Sequence, residues 1–225
     1  ANHPAAGFFI RANALRIAAE CGSRFPVGAM SGALPVRETK ALEFAVAQFN
    51  PWHERLWQVQ SESVTETVVH LGYAFLMLHR FADALALAKD AEAHGHRSAE
   101  ILRTQVTALF ELDRDAEVLA LATERLAEMN DASLTVVGQI AAKNGNLAQL
   151  KQTLDAALAR DPVDGETAEL LAALRWDALT RADQQDAAVS EVIAAKVNET
   201  GGLISACVAA RVLNRAGRAL EADDI

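Results

Sequence analysis

Six histidines are the side chains of this 225-residue chain best suited to chemistry. His94-Gly95-His96 is the tightest pair, with His70 and His79 one helix away, and paired imidazoles are how many zinc sites begin. No Cys, Asp or Glu stands at an established ligand spacing beside them, so a pair of solvated loop imidazoles is expected and no metal. Glu66 and His70 have the i,i+4 spacing of a catalytic dyad, which is also the spacing of an ordinary ion pair on a helix surface. The sequence has no G-x-S-x-G, no phosphate-cradling glycine loop and no H-E-x-x-H. Asn198-Glu199-Thr200 fits a glycosylation sequon, which matters only in a secreted protein. The expectation is therefore a protein that is not an enzyme and takes no cofactor. Of the tryptophans, Trp52 or Trp57 reads as core, while Trp176 is open between core and ligand platform.

Composition says what scaffold must carry these residues. Hydrophobic residues make up 51% of the chain and aromatics 5%, and Ala, Leu and Glu recur where strand formers would otherwise accumulate. An all-helical chain is expected. The formal charge of −9 argues against an electrostatic grip on nucleic acid. Residues 1–60 sum to +2 and the remainder to −11, an acidic helical surface. Cys21 and Cys207 are far apart, so two buried thiols in a reducing, cytoplasmic compartment are expected, or a periplasmic one if a signal peptide was removed. No apolar run approaches the roughly 18 residues of a membrane span. The first residue is Ala and not Met, and residues 219–225 begin a helix too short to pack, which together suggest a piece of a longer protein.

The chain repeats itself. FADALALAKD (81–90) set above DAEVLALATE (115–124), an offset of 34, places Leu85-Ala86-Leu87-Ala88 on Leu119-Ala120-Leu121-Ala122. NLAQLKQTLDAALARDP (146–162) keeps the same apolar spacing. Self-similarity at such a period signals stacked supersecondary units. Three helical hairpins follow in order, turning at His79-Arg80, Asp113-Arg114 and Lys143-Asn144-Gly145-Asn146; a weaker fourth turns at Thr180-Arg181-Ala182-Asp183 and a fifth starts at Leu203. One register makes Gly72, Val106, Gly138, Ala172 and Ala210 equivalent, at intervals of 34, 32, 34 and 38. Mostly small residues on one helix face let the two helices of a hairpin approach closely. In the last hairpin, Val208, Val212 and Leu213 should lack a covering helix. Before the repeats come a helix over 4–20, a breaker-rich loop over 21–36, a helix over 37–49 and a short amphipathic piece over 52–59.

LGYAFLMLHRFADALALAKDAEAHGH (71–96) resembles a tetratricopeptide repeat: Leu71-Gly72, Phe75, Phe81, Ala84 and Ala91 fall where that motif places its packing residues. VVGQIAAKNGNLAQLKQTLDAALARDP (136–162) is similar and adds the turn Gly145 and the terminal Pro162. The match covers roughly residues 65–220 and departs at Val106, where the pattern has glycine, and in the fourth repeat. Residues 1–64 do not match and form an atypical helical N-terminal cap.

The resemblance implies a right-handed α-solenoid of antiparallel hairpins, a superhelix whose first helices line a concave groove for a protein or peptide partner. Helical geometry then gives Val69, Tyr73 and Leu76 in the first repeat and Arg103, Thr107 and Phe110 in the second as the groove. Gln139 and Lys143 follow in the third, with Trp176 in the fourth. Aromatic anchors flanked by Arg103 and Lys143 suit an extended or helical peptide bearing an acidic group. Two other roles fit the same array: the accessory region of a larger enzyme such as a glycosyltransferase, and a self-assembly module that makes homo-oligomers.

Overall fold

The computed structural model describes residues 36–49, 56–58, 62–195 and 202–224. The helix expected over 4–20, the loop over 21–35, Cys21, Trp52 and the sequon at 198–200 lie outside them. The described residues are all-helical, with eleven α-helices and no strand. They are α1 (Val36–Phe49), α2 (Glu62–Met77), α3 (Phe81–Ala93), α4 (Ala99–Glu111), α5 (Asp115–Arg125), α6 (Asp131–Lys143), α7 (Leu147–Leu158), α8 (Gly165–Arg181), α9 (Gln185–Ala195), α10 (Leu203–Arg215) and α11 (Ala219–Asp223).

The even-numbered helices up to α10 all end alike. His79, Asp113, Gly145, Asp183 and Gly217 each adopt a left-handed conformation, with φ of 55°, 56°, 66°, 58° and 74°. Each donates its N–H to the carbonyl three residues back, and the next residue donates to the carbonyl four before the turn residue, as in His79 to Leu76 at 3.0 Å and Arg80 to Phe75 at 2.9 Å. This pair of hydrogen bonds satisfies carbonyls a helix end would leave orphaned. Glycine adopts the conformation without a Cβ penalty at Gly145 and Gly217, whereas Asp and His are among the few other residues that visit it.

The turn residues fix the register. Five residues before them stand Ala74, Ala108, Ile140, Ala178 and Val212, all buried; five after them stand Ala84, Val118, Leu150, Ala188 and Ala222, also all buried. The turns recur at intervals of 34, 32, 38 and 34, because α8 has 17 residues where α6 has 13. Trp176, and not Ala172, is therefore the equivalent of Gly72 and Gly138.

The chain divides into two compact units after Arg114. In the first, α1 packs on α2, and α2, α3 and α4 pack on one another around Leu71, Phe75, Leu87, Ile101 and Leu109. In the second, α8 is the hub, packed against α6, α7, α9 and α10. Side-chain caps start several helices: Ser98 Oγ accepts from Ile101 N at 3.2 Å, Asn130 Oδ1 from Ser133 N at 3.0 Å and Asn146 Oδ1 from Gln149 N at 3.1 Å. Gly202 has no side chain to cap α10. Glu169 of α8 does so instead, its Oε1 accepting from Ser205 N at 3.0 Å.

Two expectations change here. Val212 and Leu213 are covered, packed with Trp176, Leu179, Val189, Val192 and Ala222, and Val208 is partly buried against the same cluster, while Leu203, Ile204 and Leu220 stay exposed. Cys207 is exposed rather than a buried thiol.

Candidate functional site

The turn register brings three positions of each first helix onto one face: ten, six and two residues before the turn, spaced by four so that they stack along the helix. In the first unit these are Val69, Tyr73 and Met77 on α2, with Arg103, Thr107 and Glu111 on α4. In the second they are Thr135, Gln139 and Lys143 on α6, Ala173, Asp177 and Arg181 on α8, and Cys207, Arg211 and Arg215 on α10.

In the first unit the face is held by a three-residue polar network. The Tyr73 hydroxyl donates to the Glu100 carboxylate and accepts from Arg103 Nη1 at 2.8 Å, while the Arg103 guanidinium lies 5.1 Å from the Tyr73 ring centroid. Arg103 also approaches the Glu100 carboxylate at 3.6 Å. Burial first, then the hydrogen bond to Glu100, pushes the Tyr73 phenol well above its ordinary range, with Arg103 opposing. Val69 and Phe110 are half-buried, whereas Leu76 and Thr107 are buried and present no contact surface.

In the second unit Gln139 is exposed and Lys143 donates to Asp115 Oδ2 at 2.8 Å. Trp176 is buried in the core cluster with Leu179, Val192 and Val212, seven residues before its turn residue Asp183, as Gly138 is before Gly145 on α6. It is a core residue and no ligand platform. The two cations expected to receive an acidic group, Arg103 and Lys143, thus already face carboxylates of their own unit.

Sequence reasoning passed over Asp177, Arg181, Arg211 and Arg215, which occupy the same register positions on α8 and α10. Arg181 donates from Nε to Asp177 Oδ2 at 3.1 Å, and Arg211 from Nη2 to Asp177 Oδ1 at 2.6 Å. Counting back from the turn residues would have found them; apolar periodicity does not, because they are polar.

The histidine pair has a structural role. His94 lies flat on the Trp57 indole, centroids 4.7 Å apart at an interplanar angle of 6°, and His96 tilts against the same ring at 5.7 Å. His94 Nδ1 is 2.8 Å from the Asp90 carbonyl and His96 Nδ1 is 3.0 Å from Thr65 Oγ1. Glu66 and His70 form the surface pair, at 3.8 Å. Among the described residues no three or more His, Cys, Asp or Glu side chains are grouped to hold a metal ion, and no helix is long and apolar enough to cross a membrane.

No protein-family model matches the chain, and neither a search of curated proteins nor one of solved structures returns a match.

Proposed function

We propose that the chain is a non-enzymatic protein-interaction module of the cytoplasm. In this reading its hairpins belong to a right-handed α-solenoid of the tetratricopeptide type, and a peptide or partner segment docks on the first-helix face. The observation that carries the reading is the shared turn. One backbone device closes five successive first helices, so the same buried positions recur on each, and the positions six and two residues before the turn are polar and at least partly exposed in α6, α8 and α10. Repetition of a surface, beyond repetition of a core, is what an array needs to hold an extended partner.

The test compares capture of partners from source-cell extract by three proteins. One is the parent; one carries Gln139→Trp on the first-helix face; one carries Gln152→Trp on the exposed outer side of α7. A bulky side chain at Gln139 should remove a partner that the Gln152 variant retains. Retention by both, with both folded by circular dichroism, contradicts the reading.

A further inference from the structure

The charge on this face is uneven. Helices α6, α8 and α10 pack in order, α8 against both neighbours. Their side chains tie the row together: Arg181 of α8 donates to the Ala142 carbonyl near the end of α6 at 3.2 Å and to Asp177, whose other oxygen takes Arg211 of α10. Arg215 stands one turn beyond Arg211, exposed, with no carboxylate partner among the described residues. Arg181 and Arg211 are each half exposed. Two guanidinium groups share the Asp177 carboxylate and Arg215 adds a third cation, so this patch is cationic on a segment, residues 61–225, whose formal charge is −11.

We propose that this row is where the partner's charge is read, and that it takes an acidic protein segment in extended form with carboxylates three residues apart. The inference rests on the interaction-module reading and names the partner's chemistry. Packed helices lie about 8–10 Å apart. A chain in the extended polyproline II form has three residues per turn and advances about 3.1 Å per residue, so every third side chain returns to the same side about 9 Å further on. A segment of that form crossing α8 and α10 therefore brings every third side chain over a new helix, one carboxylate at Arg181 and the next at Arg211 and Arg215. Guanidinium forks bind carboxylates in two parallel bonds, a geometry the same unit already shows at Arg175–Glu191 and Arg218–Glu221. A nucleic acid brings continuous negative charge, which the acidic remainder of the segment repels. Short separated acidic side chains do not.

The experiment uses the full chain and fluorescent Ser/Gly peptides read by anisotropy at low ionic strength. One peptide has glutamate at every third position, one has the same number of glutamates in adjacent positions, one has lysine in place of glutamate, and a single-stranded oligonucleotide matches the charge. The spaced glutamate peptide should bind best, and binding should fall with salt. Arg215→Gln should weaken it about two- to fivefold and Arg211→Gln/Arg215→Gln about tenfold. Arg215 has no carboxylate partner to lose among the described residues, so the single variant separates binding from folding. No binding of the spaced peptide, equal binding of the lysine peptide or the oligonucleotide, or indifference to Arg215→Gln overturns the inference. A partner blocked by Gln139→Trp yet indifferent to the arginine variants overturns this inference alone and leaves the docking face standing.

Discussion

Gly138 and Leu171 stand so close that a β-carbon added to Gly138 would lie 2.2 Å from Leu171 Cδ2. Leu171 belongs to α8, the first helix of the next hairpin; the hairpin partner α7 is farther, with Leu150 Cδ1 at 3.6 Å. In the other unit a β-carbon on Gly72 would lie 2.9 Å from Thr104 Cγ2 of α4, again a first helix. The small residues thus set the contact between successive first helices, not the closure of a hairpin.

Gly138→Leu should cost about 1–3 kcal/mol through overpacking against a fully buried Leu171. Gly72→Leu should cost a similar amount, because Thr104 is branched at Cβ and its hydroxyl is tied to the Glu100 carbonyl at 3.1 Å. Urea melts give the values. The combination with Leu171→Ala should show a favourable coupling of about 0.5–3 kcal/mol with Gly138→Leu. Additive effects would place the contact elsewhere.

Tyr73 is the sole tyrosine, so phenolate absorbance reports it alone. Its pKa is raised in the folded chain above the unfolded value near 10. The unfolded chain therefore releases this proton first; the contribution to stability is whole below pH 10 and is lost as pH rises through the folded value. Phenolate absorbance should appear only together with loss of helical dichroism. Glu100→Gln should bring the titration to lower pH. A midpoint near 10 in a chain that is still helical would refute the buried network.

Trp57 and His94 stack face to face, and such pairs contribute about 0.5–1.5 kcal/mol beyond area burial. A double-mutant cycle of Trp57→Ala and His94→Ala, followed by urea, should return a coupling of that size. Zero coupling would show that the rings touch without stabilising the segment around Trp57.

The helices are legible in the sequence because apolar spacing and turn residues agree: His79, Asp113 and Gly145 fall in the breaks between apolar stripes, and each carries the positive φ its turn requires. The register of the fourth hairpin is not legible in the same way. Four extra residues in α8 are close to one helical turn, so Leu171 and Ala178 still share one face and Trp176 and Leu179 another, and the apolar pattern does not reveal the insertion. Only Asp183 fixes it. The site is legible as a face and not as a charge. Whether Arg103 or Lys143 is free depends on the reach of Glu100 and Asp115, and long side chains choose partners across 28 residues in the case of Lys143 without leaving a spacing to read.

A partner should dock on the first-helix face. A photo-cross-linking amino acid placed at Gln139, and in a second protein at Gln152, tests it most directly, since both positions are exposed and lie on the two helices of one hairpin. A covalent adduct with a partner protein is expected from Gln139 and none from Gln152. An adduct from Gln152 alone, or equal adducts from both, would contradict it.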